Sequence, residues 1–426
     1  MGLFYAPQRL LSLYGEVMLS RLKLPFIKSV GILLSGSAVA QLLNALAMPL
    51  LSRIYSPESI GALAILSVLL GIAAIVATAR FDQALVQAQD HEVDSLSWLV
   101  LFIAAPVLLF FLIVIIFWGE NIPAWLNAPS LSWSIYWLLP LLSIQVLYLL
   151  WVARLNQQGG YHAIAVSRVA QAVVTLSVSV IFGLANSDAL GLILGLFVGT
   201  VVSIFILVRT PAKLSRPCWQ EIKTVAGRYI SFPTVVLFSA LVDGLAVMAT
   251  PLWIGMRYGE EAAGYFSLTW RVISIPMILV GLAVSQVFYR EVSILFRSDK
   301  HKALRLLMKT WMWMLLIGML PFYVVYRFSD VIFPYLFGQE WLLSGQLAQI
   351  LAPLAYIMFL NSPTSSIFLL DKGRQILIAF CLSELCVRLM SIFVLGSSLQ
   401  SSLEYMTILE VLVVIVFNVL AVRRVF

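Results

Sequence analysis

Charge is what this chain has least of. Only 11% of its 426 residues are Asp, Glu, Lys or Arg, where a soluble domain carries about 25%, and 62% are hydrophobic. So few charges cannot cover the exterior of a globular protein of this length. Cysteine and histidine are equally scarce, with three of each. Cys218, Cys381, Cys386, His91, His162 and His301 lie scattered, without C-x-x-C or H-x-x-x-H spacing, which argues against a zinc site or a disulfide framework. No G-x-x-x-x-G-K-S/T stretch is present, so the chain carries no ATP-binding phosphate loop. Neither a metal nor a cofactor is expected. The composition is that of an integral membrane protein, in line with a mean hydropathy of +0.99.

Long apolar runs make the spans helical, because barrel strands alternate over about ten residues and a helix needs about 20 apolar residues to cross. The runs fall at 30–52, 60–79, 97–118, 133–153, 163–184, 189–208, 229–256, 264–289, 305–328, 345–369, 375–396 and 403–422. The expectation is an all-α integral membrane fold with twelve transmembrane helices. Positive charge then sets the orientation. With this assignment Arg53, Arg257 and Arg327 fall on one side and Arg168, Arg271 and Arg388 inside spans, which leaves 21 of the 27 basic residues on the side of the termini. Both termini are therefore expected in the cytoplasm. The net charge of +7 becomes a topology signal, and no nucleic-acid partner is expected.

The chain divides in two. A basic connection with Pro211 and Pro217 runs from Arg209 to Arg228, with six spans before it and six after. Tyr55-Ser-Pro-Glu-Ser-Ile-Gly61 joins the first two spans, and Tyr258-Gly-Glu-Glu-Ala-Ala-Gly264 joins the seventh and eighth with the same Tyr-to-Gly spacing. An arginine precedes each (Arg53, Arg257), and a proline lies near the end of each first span (Pro49, Pro251). Such matches point to two six-helix pseudo-symmetric lobes around a central cleft, with alternating access by rocking. The expected organisation is an interfacial segment over 1–28, an N-terminal lobe over 29–208, a basic linker over 209–228 and a C-terminal lobe over 229–426.

Ionisable groups inside a membrane cost about 2.5–3.5 kcal/mol each on insertion scales and are functional suspects. Arg271, seven residues into its span, is either an anion ligand lining the cleft or the partner of Asp243. Asp243 in turn either carries a coupling proton or sodium ion or neutralises Arg271. Arg168 lies near a cytoplasmic span end, where it either faces the cavity or snorkels outward. Glu384 and Arg388, at i,i+4, can pair on one helix face. Glu410 has no partner in its own span and is a second coupling-ion candidate. Gln41 and Asn44 share a face, where they either bind sugar hydroxyls or only join helices.

The stretches Leu34-Ser-Gly-Ser-Ala-Val-Ala-Gln41, Pro49-Leu-Leu-Ser-Arg-Ile-Tyr-Ser-Pro-Glu58, Arg80-Phe-Asp-Gln-Ala-Leu85 and Gly264-Tyr-Phe-Ser-Leu-Thr-Trp-Arg-Val-Ile-Ser-Ile-Pro276 resemble the Wzx-type polysaccharide flippases. These belong to the multidrug/oligosaccharidyl-lipid/polysaccharide exporter superfamily. The resemblance implies a non-enzymatic function, transfer of an undecaprenyl-pyrophosphate-linked oligosaccharide from the cytoplasmic to the periplasmic leaflet of the bacterial inner membrane. It maps Arg271 and Arg80 onto arginines typical of the family, and it implies contact with the polymerase and chain-length machinery. A cation-coupled multidrug antiporter of the same superfamily is the alternative. A polymerase or glycosyltransferase fits poorly, because the outer loops are short, the longest being roughly 329–344, and hold no close acidic pair.

Overall fold

The structure, a computed structural model, describes residues 36–186, 188–210, 215, 217–281, 284–285, 288, 291–292, 295, 299–362 and 373–425. The expected interfacial segment 1–28 lies outside them. Among the described residues there are helices and turns but no strand.

The first half is a run of helices closed by short turns. Helix α1 (Gly36–Ile54) leads directly into α2 (Pro57–Thr78), where Ser56 caps the first turn and Pro57 takes the first helical position, its missing N–H lost at no cost there. A left-handed turn at Ala79 and Arg80 then sets α3 (Phe81–Val86) at an angle. The stretch between the predicted spans 60–79 and 97–118 thus holds a short helix. Helices α4 (Val93–Trp118), α5 (Leu131–Gln157), α6 (Tyr161–Ala185) and α7 (Ala189–Val208) follow the predicted spans closely. A short amphipathic helix, α8 (Trp219–Arg228), was not anticipated in the linker; it buries Ile222 and Val225.

The second half is less regular. Helix α9 (Phe232–Met248) meets α8 at 56° and contains two π-helical turns, Phe232–Val236 and Gly244–Met248. It continues into α10 (Thr250–Tyr258). Gly259, at φ +92°, turns the chain into α11 (Glu260–Ile273). Helix α12 (Lys300–Phe337) has 38 residues, about 57 Å at 1.5 Å per residue and far longer than a bilayer core of about 30 Å. It corrects the predicted outer loop at 329–344: most of that stretch is helix, and Gly338, at φ +113°, makes the turn into α13 (Gln339–Asn361). The last helices are α14 (Gly373–Met390), continued by a π-helical turn over Ser391–Leu395, and α15 (Leu399–Val425).

Nine helices among the described residues are long and apolar enough to cross a membrane, ten if the bent pair α8–α9 is one span. Predicted spans seven, eight and eleven do not stand as single regular helices. Four π-helical turns, at Phe232–Val236, Gly244–Met248, Met277–Gly281 and Ser391–Leu395, interrupt them.

The two halves meet where α1, α2, α11, α12 and α13 converge. Gly61 and Gly264 let α2 and α11 pack backbone to backbone, with no room for a side chain at either position. Ser52 Oγ donates to the Phe337 carbonyl, Arg53 to the carbonyls of Tyr335 and Leu336, and Trp341 Nε1 to the Ser52 carbonyl at 2.9 Å. Arg53 thus caps the carbonyl end of α12 from the other half of the chain, where a cation is favoured by the helix dipole. Trp341 is fully buried, packed in one apolar core with Met48 and Leu51 of α1 and Tyr55 just after it.

Candidate functional site

Beneath that junction lies a cavity of about 700 Å³. One wall comes from α1 and α6. On α6, Arg168, Gln171, Thr175 and Ser179 recur every three or four residues and share one face. Helix α7 supports that stripe at close quarters: a Cβ on Gly195 would lie 2.2 Å from Ser179 Oγ, and one on Gly199 would lie 2.1 Å from Thr175 Oγ1. On α1, Ser37, Gln41 and Asn44 face the same space, and Arg168 Nη1 donates to Ser37 Oγ. The other polar groups in the lining are Ser67 of α2, Tyr148 of α5 and Arg271, and the rest is apolar, with Leu51 of α1, Leu63 of α2, Leu196 of α7 and Ile275 after Arg271 among it.

Depth orders these groups. The ends of α1 and α6 and the starts of α2 and α11 gather at one level, with Gly183 against Ile54 and Tyr55, and Pro57 against Gly264. Counting inward at 1.5 Å per residue, Asn44, Ser67, Thr175 and Arg271 sit about 15–16 Å down, Gln41 and Gln171 about 20 Å, and Ser37 and Arg168 about 25 Å. Arg271 is deep within the protein yet has an exposed surface. Both hold because its exposed surface faces the cavity. Among the described residues it has no carboxylate partner, and the described lining contains two arginines and no acid.

The structure brings together four of the sequence-derived candidates, Gln41, Asn44, Arg168 and Arg271. It does not bring in Arg80 or Asp243. Arg80 sits at the left-handed turn before α3, its Nε buried without a partner among the described residues. Asp243 lies within electrostatic reach of Arg80 and Arg388 rather than Arg271, so the expected neutralisation of Arg271 by Asp243 does not hold. Arg388 lies within electrostatic reach of Glu384, as their i,i+4 spacing suggests, but its hydrogen-bonded partner is Glu410, which it grips through two nitrogens, and both residues are buried. Its Nη1 donates to the carbonyls of Ala246 (2.7 Å) and Val247 (3.2 Å) and to Thr250 Oγ1 (2.7 Å). Those carbonyls belong to a π-helical turn, whose irregular spacing offers them to an outside donor. Glu410 thus has a partner on another helix, out of reach of any reading of its own span.

Gln171, Thr175 and Ser179 were missed from sequence. Their spacing from Arg168 was the available signal, but apolar residues surround each of them in the fifth span.

A second polar group holds the linker to the start of α4. Glu92 accepts from the Arg228 guanidinium, the Tyr229 hydroxyl (2.8 Å) and the Gln89 N–H (3.3 Å). Burial alone raises the Glu92 carboxyl, but the Tyr229 and Gln89 hydrogen bonds and the Arg228 charge outweigh it and hold the group below its ordinary value. Arg154, buried, bridges Asp94 at 2.9 Å and Ser97 Oγ at 2.7 Å. Asp94 also accepts the Ser215 N–H, and Trp98 Nε1 donates to the Ser215 carbonyl.

A helical membrane protein with a cavity that holds charged and polar groups beneath a closed junction of its two halves has the architecture of a transporter. Residues 50–345 match the family described as Polysaccharide biosynthesis protein, and the chain belongs to that family. Among curated relatives, it is 27% identical over 149 residues to the teichuronic acid biosynthesis protein TuaB of Bacillus subtilis, covering 34% of this chain and 30% of that protein. It is 24% identical over 307 residues to the succinoglycan biosynthesis transport protein ExoT of Rhizobium meliloti, covering 70% of this chain and 60% of that protein. The matches thus span less than two thirds of either relative.

In fold, the chain is similar to the lipid II flippase MurJ in an inward closed conformation (TM-score 0.73, 13% identity, 92% of this chain and 90% of that one). It is also similar to a MATE family multidrug resistance transporter of the MOP superfamily in an inward-facing conformation (TM-score 0.71, 14% identity, 91% and 94%). The family and these neighbours are transporters and flippases rather than enzymes.

Proposed function

We propose that this protein is a flippase that carries a polyprenyl-pyrophosphate-linked oligosaccharide from the inner to the outer leaflet of a bacterial cytoplasmic membrane, for assembly of a surface polysaccharide. The carrying observation is Arg271, a guanidinium deep in the protein that faces a cavity with polar groups set in a largely apolar lining, and that has no carboxylate partner among the described residues. Guanidinium is suited to phosphate, which it can bind through two parallel hydrogen bonds. The amides and hydroxyls beside it suit a glycan, and the lipid tail can remain in the bilayer.

In this reading twelve spans form two six-helix lobes, 29–208 and 229–426, with both termini cytoplasmic and the basic linker 209–228 between them. The Arg53, Ser52 and Trp341 contacts then close the outer side, and the cavity loads from within. The lobes rock to reverse that access. An inside-negative potential assists outward movement of an uncompensated pyrophosphate by about 2.3 kcal/mol per charge per 100 mV. If an ion gradient contributes, Asp243 is the stronger candidate for a proton or sodium site, because Glu410 is already committed to Arg388.

A cation-coupled drug antiporter shares the fold. Such a transporter needs an anionic group where its cationic cargo binds, and the described cavity lining offers two arginines and no carboxylate.

The test is a lipid extract from cells lacking the gene, analysed by mass spectrometry. Accumulation of undecaprenyl-pyrophosphate-linked oligosaccharide, reversed by the intact gene and not by an equally expressed Arg271→Ala variant, is the expected result. An unchanged lipid pool with heightened sensitivity to cationic dyes would replace this reading with the antiporter.

A further inference from the structure

Arginine alone makes a poor discriminator, since any pyrophosphate lipid satisfies it, including the bare carrier that must not be transported. Between the levels of Arg271 and Arg168 the cavity holds a band of uncharged hydrogen-bonding groups that phosphate binding leaves unused. Gln41 on α1 and Gln171 on α6 stand at the same depth, about one helical turn from Arg271. Asn44 and Thr175 stand at the level of Arg271 itself.

Two features separate this band from ordinary helix-joining polar contacts. Gln41 and Asn44 have no side-chain hydrogen-bond partner among the described residues, and both are exposed along the cavity wall. Gln171 is the opposite case, held in place from behind. Its Nε2 donates to Thr200 Oγ1 at 3.0 Å, and Thr200 is itself anchored to the Leu196 carbonyl at 2.7 Å. The close approach of α7 at Gly199 fixes that geometry. That bond uses one of the two amide N–H groups, so the second N–H and Oε1 of Gln171 are left to meet sugar hydroxyls.

Resting on the flippase reading, we infer that Gln41 and Gln171 form a sugar-reading subsite that binds the hydroxyls of the first sugar of a lipid-linked glycan while Arg271 holds its phosphate. The spacing suits it, since a phosphate at Arg271 places the attached ring one turn away, at the amide level. Amides present a donor and an acceptor together, as neighbouring sugar hydroxyls require. Tyr148 is the one aromatic residue in the described lining, so selection rests on hydrogen bonds rather than ring stacking. Such sites discriminate strongly, because a cargo lacking the hydroxyls leaves the polar groups unpaired.

The experiment uses the full-length protein in lipid nanodiscs and two probes. One is the lipid-linked oligosaccharide purified from cells lacking the gene, and the other is undecaprenyl pyrophosphate without sugar. The wild type is expected to bind the first about tenfold or more tightly than the second. Gln41→Leu and Gln171→Leu each remove most of that preference and leave binding of the bare carrier within about twofold, whereas Arg271→Ala weakens both probes. The two glutamines lie on different helices, so one variant reports if the other fails to fold. Thr200→Val, which releases Gln171, gives a partial loss of the same preference. Equal binding of both probes by the wild type, or glutamine variants that lose both equally, overturns the subsite and leaves the flippase reading standing. Binding of neither probe by the wild type overturns the flippase reading itself.

Discussion

Gly61 and Gly264 face each other across the junction of the two halves, each against the other's helix start. A Cβ on Gly61 would fall 1.8 Å from the Glu260 carbonyl oxygen, and one on Gly264 would fall 1.9 Å from that of Pro57. Each glycine contacts the residue four before its counterpart, so the contact is reciprocal, as a two-fold relation between repeated segments requires. The Tyr-to-Gly spacing shared by the two loops is therefore matched by a shared role in three dimensions.

Because both obstacles are backbone atoms, neither can rotate away. Gly61→Ala and Gly264→Ala are each expected to lower stability by about 1–3 kcal/mol, read as a fall in the thermal midpoint of the detergent-solubilised protein followed by size-exclusion chromatography. A midpoint unchanged in both variants would mean that α2 and α11 do not pack this closely.

Arg388 and Glu410 form a buried pair, so removing one member should cost far more than removing both. Arg388→Met strands the Glu410 carboxylate and is expected to destabilise by about 3–5 kcal/mol, while Arg388→Met with Glu410→Leu recovers most of that loss. Thermal unfolding of the two single variants and the double variant checks this. Additive losses would show the pair to be uncoupled.

Glu92 gives the linker a pH dependence of definite sign. Its carboxyl is held below the ordinary value of 4.5 while it binds Arg228 and Tyr229, so the attachment is at full strength above that value and is lost as pH falls through the lowered one. Hydrogen exchange in α8, corrected for intrinsic rate, is expected to rise at acid pH in the wild type. In Glu92→Gln it should be raised already at neutral pH. Protection that stays flat with pH in the wild type argues that other contacts hold α8.

Trp341→Phe removes the donor to the Ser52 carbonyl and keeps most of the apolar contact. If that bond helps to close one side of the cavity, a cysteine placed at Ser37 or Asn44 should become more reactive to a membrane-impermeant thiol reagent added from outside the cell. Unchanged labelling in Trp341→Phe would show that closure does not depend on it.

The chain by itself determined its class, several of its spans and part of its cavity. A residue composition with 11% charge leaves a bilayer as the only surrounding that satisfies it, and spans such as 189–208 follow because an unbroken apolar run has one stable form in lipid. Arg271 and Arg168 were legible because a charge within an apolar run stands out. Tertiary structure decided what a single helix cannot encode. The partner of Glu410 lies on a neighbouring helix, so i,i+4 spacing could show Glu384 beside Arg388 but not the bond from Arg388 to Glu410. Two of the π-helical turns that break spans seven and eleven take donors from elsewhere, Arg388 to Ala246 and Val247 and the Tyr258 hydroxyl to Ile392. Gln171 and Thr175 are ordinary polar interruptions in sequence. They become a cavity wall only where α7, through Gly195 and Gly199, presses α6 into place opposite α1.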